Sequence, residues 1–225
     1  MIEQFFFGVL PYLALLLFFG VPIYRAYRRE VAWSARGEFS WTTRASGFFG
    51  KRVLGAAAIL LHWGLFLVII GHVLGLIGIL WGPLILLDIF HWMGLAGGMM
   101  LFHGLLIALA RRLFIKEVWT MSQREDYVIL LFLLVIVGLS LWQVIVDQIW
   151  GVSASVWPWF ASIARFEPDL AIISGATLVT KVHVAVSLAF FCYFPFTKLV
   201  HAWSFPFGYI TRPYISMRSY GRWAR

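Results

Sequence analysis

The sequence predicts an all-α integral membrane protein, a bundle of five transmembrane helices with its amino terminus outside and its carboxyl terminus in the cytoplasm. Three observations predict this class. Of the 225 residues, 62% are hydrophobic and only 12% are charged, whereas soluble domains carry about 25% charged residues. Five stretches have the roughly 20 apolar residues needed to cross the hydrocarbon core. Lys and Arg are concentrated on one side of those stretches.

The five predicted spans follow one another within a single domain, residues 1–225. Proline is tolerated in membrane helices, so Pro11 and Pro195 are compatible with the first and fifth spans. The segment 150–170 is too polar to span and holds three tryptophans, which predicts an amphipathic stretch on the outer interface. Residues 204–225 form a predicted cytoplasmic tail. The spans are predicted at residues 5–24, 53–80, 90–110, 127–148 and 178–203.

The basic residues predict the orientation. All of the 18 except Arg165 and Lys181 lie in the loops after the first and third spans or near the end of the fifth. Because Lys and Arg accumulate in cytoplasmic loops, these segments are expected inside. The net charge of +8 is then a signal of topology, so we expect a lipid bilayer and no nucleic acid as partner. The localisation predicted is a cell membrane that the chain crosses several times.

A single cysteine limits the redox chemistry. Cys192 excludes an internal disulfide, covalent haem attachment through C-x-x-C-H and cysteine-ligated iron–sulfur clusters. Since it lies in an apolar run, we interpret it as a small buried hydrophobe. Any redox centre in this chain would therefore be bound non-covalently by other side chains.

Histidines are the candidate ligands, because ionisable residues inside a membrane are functional candidates by default. A single one is also explained by an interhelical hydrogen bond, but four lie on two antiparallel spans at matching depths. His62 is level with His201 toward the inside, and His72 with His183 toward the outside. Two imidazoles at one level suit the two axial positions of a six-coordinate haem b, so the sequence predicts two such haems.

Spacing leaves the pairing open. His183 and His201 are 18 residues apart, which on an α-helix is one face and a rise of about 27 Å. From His62 to His72 the rise is only about 15 Å, and helix tilt and a proline bend absorb only part of the difference. Two histidines of the third span remain competing ligands by geometry, His91 and His103.

Glycines and two arginines have two interpretations each. The glycines of spans two and three either leave room for haem edges or allow close helix packing. Arg111 and Arg112 either contact haem propionates at the inner face or serve only as topology charges. The glycines concerned are Gly64, Gly71, Gly75, Gly78, Gly94, Gly97 and Gly98.

Several stretches resemble the gamma subunit of membrane-bound respiratory nitrate reductase, a cytochrome b. They are LLHWGLFLVIIGHVLGL on span two, ARRLF after span three, and KVHVAVSLAFFCYFPFTKLVHAWSFP with YITRPY on and after span five. The histidine spacings of ten and 18 residues are also similar to those of this family. The resemblance covers most of the chain and is weakest at residues 150–175.

The resemblance implies that His62 and His201 ligate the inner haem, and that His72 and His183 ligate the outer haem. It implies oxidation of a quinol, menaquinol or ubiquinol, near the outer haem. Electrons would then pass to a cytoplasmic iron–sulfur beta subunit and a molybdenum-containing alpha subunit that reduces nitrate. The alternative is a similar dihaem cytochrome b that anchors a formate dehydrogenase, a hydrogenase, or a sulfite- or disulfide-reducing complex. A transporter or structural anchor is disfavoured, because the sequence has no inverted repeat and few charges at membrane depth.

The expected quinol site departs from the family pattern. Family members have a lysine between spans two and three, where this chain reads LDIFH at 87–91. We hypothesise that Asp88 and His91, one helical turn apart, accept the hydrogen bonds and protons of the quinol instead. The alternative is an interfacial loop with ordinary polar residues.

Overall fold

The computed structural model describes residues 2–27, 49–81, 85–150, 156–197 and 199. Five of its helices are long and apolar enough to cross a membrane, which confirms the predicted all-α bundle of five transmembrane helices. We keep "inner" and "outer" for the two ends of the bundle predicted from the charges. The helices are α1, which is α-helical at Ile2–Gln4, π-helical at Phe5–Val9 and α-helical at Leu10–Tyr27; α2, Lys51–Trp81; α3, Ile85–Phe114; α4, Lys116–Met121; α5, Arg124–Trp150; α6, Trp157–Ala164; α7, Leu170–Ser174; and α8, Leu178–Tyr193.

The π-helical stretch of α1 has a cause in the sequence. Pro11 has no N–H, so it cannot close the α-helical hydrogen bond to the carbonyl of Phe7. That carbonyl instead accepts a hydrogen bond from the indole N–H of Trp159 at 3.2 Å. Trp159 is fully buried, with its ring edge-on to that of Phe7. The outer segment is therefore fastened to α1, and Trp159 lies inside the protein and not at the lipid interface.

The long helices pack as a series of neighbours, α2 on α3, α3 on α5, α5 on α8 and α8 on α1. Within the described part of the chain, α2 and α8 do not pack along their lengths. At the outer end α6 contacts α2 and shares a buried cluster with α1, α7 and α8. The two ends of the series are thus bridged at the outer end by α6 and its cluster.

Close packing of α2 on α3 depends on glycines. A Cβ at Gly64 would lie 2.5 Å from the backbone nitrogen of Leu101 and 2.7 Å from the carbonyl oxygen of Gly97. A Cβ at Gly97 would in turn lie 2.9 Å from the carbonyl oxygen of Gly64. These two glycines therefore serve helix packing. A Cβ at Gly104, a glycine outside the set predicted from the sequence, would likewise lie 2.9 Å from the backbone nitrogen of Leu61 on α2.

We expect Gly64→Ala to destabilise the bundle by about 1–3 kcal/mol, the usual cost of overpacking, because the added methyl group meets backbone atoms that cannot move aside. Gly55→Ala is the matched control on the same helix, since its Cβ would meet nothing within 4 Å. Thermal unfolding of the detergent-solubilised protein, followed by tryptophan fluorescence, compares the two. Equal melting temperatures for both variants would contradict this account of α2–α3 packing.

The fifth span departs from the continuous helix assumed over 178–203. Its α-helical part ends at Tyr193 and a 3₁₀ turn follows at Phe194–Phe196, where the carbonyl of Pro195 accepts a hydrogen bond from the guanidinium of Arg25 at 3.1 Å. The rise of about 27 Å from His183 to His201 assumed α-helix throughout, so it does not apply. His201 and the tail 204–225 lie outside the described residues.

Candidate haem site

In the outer part of the bundle, His72 of α2 lies beside α6, whose Trp157 has its ring near that of His72. His183 of α8 is followed by Val184, which shares a buried cluster with two other residues of α6, Trp159 and Ile163, so both histidines lie near this helix. The Nδ1 atom of His72 lies 2.7 Å from the carbonyl oxygen of Val68. The Nδ1 atom of His183 lies 3.1 Å from the carbonyl oxygen of Ile136 on α5. A carbonyl can only accept, so in the neutral imidazole each Nδ1 carries the proton and Nε2 carries the lone pair. Both rings thus have the tautomer that an axial ligand of iron requires.

The exposure of α2 and of its histidines also fits a large bound group between α2 and α8. Of the five spanning helices, α2 is the least covered. Of an 18-residue apolar stretch of this helix 11% is buried, against at least 28% of the corresponding stretch in each of the others. His62 and His72 are both exposed on it, and His183 is half-buried. Exposing a polar imidazole to the hydrocarbon of the membrane costs free energy. A haem held between the helices would cover them, so the residues present fit this cofactor.

The helix α6 lies against the outer part of α2, next to His72. The ring of Trp157, at the start of α6, lies 6.4 Å from the ring of His72, and Phe160 packs against Trp157 at 5.7 Å. This contact could not be predicted from the sequence, because tryptophans in a polar segment indicate only interfacial depth. Aromatic side chains of α6 therefore lie next to the proposed outer ligand His72.

The inner pair is described only in part. His62 has the same backbone hydrogen bond as His72, from Nδ1 to the carbonyl oxygen of Ala58 at 2.7 Å, but its expected partner His201 lies outside the described residues. His103 on α3 makes an equivalent bond to the carbonyl of Met99. Tautomer therefore does not separate His103 from the other histidines, and closeness to α6 is what distinguishes His72 and His183.

Both arginines predicted near the inner face have contacts within the protein. Arg111 is buried and donates a hydrogen bond to the carbonyl of Phe49 at 2.8 Å. Arg112 forms an ion pair with Asp126 at 3.2 Å and donates to the hydroxyl of Ser122 at 2.9 Å, which ties α3 to the start of α5. These contacts account for their positions, and propionate binding by either arginine stays a prediction.

The two residues hypothesised for quinol lie on one helix. Because α3 begins at Ile85, Asp88 and His91 are in its first two turns, three residues apart, and so share a face. His91 is half-buried, and the side chain of Asp88 lies outside the part of the chain that the structure describes. Both residues are therefore helical, and the alternative of an interfacial loop is wrong for them.

Comparison with known proteins gives the family of the chain. Residues 3–220 match the family described as nitrate reductase gamma subunit. The chain belongs to this family.

Relatives of the family match along nearly the whole chain. The nitrate reductase gamma chain of Bacillus subtilis is 34% identical over 96% of this chain and 97% of its own length. The respiratory nitrate reductase 1 gamma chain of Escherichia coli is 25% identical over 97% of this chain and 98% of its own. The nitrate reductase-like protein NarX of Mycobacterium tuberculosis is 30% identical, but the match covers 34% of that longer protein. This gamma-family chain is thus a multi-pass subunit of a nitrate reductase complex in a prokaryotic membrane.

Proposed function

We propose that this chain oxidises quinol at the outer side of the membrane and passes the electrons inward through two b haems. The acceptor is a cytoplasmic iron–sulfur beta subunit, which delivers the electrons to a molybdenum-containing alpha subunit that reduces nitrate. The orientation with the amino terminus outside is part of this proposal and rests on the distribution of the basic residues.

The observation that carries the proposal is the pair His72 and His183. Both imidazoles have Nδ1 at a backbone carbonyl, and they lie near α6 on two helices that do not pack along their lengths. This is the arrangement expected of two axial ligands, while a lone interhelical hydrogen bond needs only one histidine. His62, with the same backbone bond, is the proposed inner ligand together with His201.

The electrons and protons of the proposed reaction balance. Quinol oxidation gives quinone, two electrons and two protons, and reduction of nitrate to nitrite and water consumes two electrons and two protons. When bound between two imidazoles, a b haem exchanges single electrons and leaves no iron position open to oxygen. The side chains proposed to receive the quinol protons are Asp88 and His91, at the outer end of α3.

The test of the proposed function uses the intact complex in detergent. Dithionite is expected to produce reduced b-type absorption bands. A menaquinol or ubiquinol analogue should produce the same bands under anaerobic conditions, and added nitrate should reoxidise them. Absence of b-type bands would overturn the haem assignment. Bands that quinol reduces but nitrate does not reoxidise would indicate a different partner enzyme.

We expect Asp88→Asn and His91→Ala each to slow reduction of these bands by quinol by about 10²-fold, the lower end of what a positioned acid or base contributes. Reduction by dithionite should remain complete, because the haem ligands are intact. Stopped-flow absorbance measures both rates, and His103→Ala is the control on the same helix. Wild-type rates in both variants would show that the quinol site lies elsewhere.

A further inference from the structure

The ring of His183 is oriented differently from those of three other histidines. His62, His72 and His103 each bond the carbonyl four residues earlier on their own helix, at 2.7 Å. His183 instead reaches across to α5, where the carbonyl of Ile136 lies 3.1 Å from Nδ1. The plane of the His183 imidazole therefore depends on how α8 sits against α5.

A second hydrogen bond between the same helices lies nearer the outer end. The side-chain amide of Gln143 on α5 donates to the hydroxyl oxygen of Thr180 on α8 at 2.6 Å. Gln143 is seven residues, or about two turns, from Ile136 and so lies on the same face of α5. Thr180 is one turn from His183. The two hydrogen bonds thus join the same faces of α5 and α8 at neighbouring depths.

Thr180 is itself held in place at the start of α8. It is buried, and its hydroxyl lies 2.9 Å from that of Thr177, the N-cap residue. The Thr177 hydroxyl oxygen also accepts a hydrogen bond from the backbone N–H of Thr180 at 3.3 Å. Buried polar groups that are fully bonded and shielded from water hold their geometry firmly. The cap of α8 and its contact with α5 therefore share one hydroxyl group.

We propose that Gln143 and Thr180 are positioning residues for His183, and that their hydrogen bond fixes α8 against α5 and thereby the plane of the outer axial imidazole. This inference rests on the proposed function, since it concerns a ligand of the outer haem. Groups that orient a metal-bound histidine tune the bound metal, so loss of the Gln143–Thr180 bond should change the outer haem specifically. The haem ligated by His62 serves as an internal reference.

The experiment compares Gln143→Leu and Thr180→Val, which remove the bond with little change in volume, with Thr180→Ser, which keeps the hydroxyl. Val182→Ala, an exposed position on the same helix, is the control. Redox titration of the b-type bands and electron paramagnetic resonance of the oxidised complex measure the effect, because the resonance of a low-spin ferric haem reports the relative planes of its two imidazoles. At a fixed potential we expect the reduced-to-oxidised ratio of the outer component to change about three- to tenfold, the net worth of one hydrogen bond.

The supporting result is a shift of the outer component alone in both variants, no further shift in the double variant, and wild-type behaviour of Thr180→Ser and Val182→Ala. An unshifted outer component in Gln143→Leu and Thr180→Val would overturn the proposal. If either of these variants lost both components, Gln143→Asn, which keeps the amide on a shorter chain, would decide: a shifted outer component supports the inference and an unshifted one overturns it. Absence of b-type bands in the wild-type complex would instead contradict the proposed function.

Discussion

Replacing His72 by alanine is expected to remove one of the two b-type components completely and to abolish electron transfer from quinol to nitrate. The reason is that Nε2 of His72 is the proposed outer axial ligand on α2, and an alanine supplies no nitrogen to replace it. His183→Ala should remove the same component, because the two imidazoles, both near α6, are the proposed ligands of one haem. Potentiometric titration of the difference spectrum in the isolated complex measures which component is lost.

The control for this prediction is His103→Ala. His103 has the same type of backbone hydrogen bond at the same 2.7 Å distance, so it matches His72 in tautomer and residue type but lies on α3. It should leave both components intact. Loss of a component in His103→Ala, or survival of both in His72→Ala, would move the ligand set to α3. Loss of different components in His72→Ala and His183→Ala would contradict the pairing.

Replacing His62 by alanine is expected to have an equally large effect on turnover with a different spectroscopic pattern. The inner component should disappear, while quinol should still reduce the outer component, since its ligands His72 and His183 are unchanged. Nitrate should fail to reoxidise that component, because the route to the cytoplasmic subunits is interrupted. Anaerobic mixing with quinol and then with nitrate, followed at the b-type bands, tests both halves of the prediction.

The two histidine variants together test the direction of electron flow. With electrons entering at the outer side, quinol should reduce the remaining component quickly in His62→Ala and slowly or not at all in His72→Ala. The reverse pattern would place quinol oxidation near the inner haem and contradict the proposed orientation. His201→Ala should behave like His62→Ala, which would supply the pairing for a residue outside the described part of the chain.

Much of the architecture could be predicted from the sequence, because the ability to span a membrane depends on length and apolarity along one segment. The span predicted at 53–80 corresponds to α2 at Lys51–Trp81, and that at 127–148 to α5 at Arg124–Trp150. The predictions were less accurate where local geometry intervened. The fifth span leaves the α-helix after Tyr193, and the turn containing Pro195 follows.

The sequence by itself determined the class of the protein, its five spans and the set of histidines from which ligands can be drawn, since residue type and apolar length are local properties. Only the tertiary structure decided that His72 lies beside Trp157, that His183 bonds α5, and that Trp159 is buried against Phe7. These contacts depend on how far each helix is rotated and shifted against its neighbours. Close packing at positions such as Gly64 sets that rotation and shift. The length and apolarity of a span do not encode the rotation or the shift of its helix.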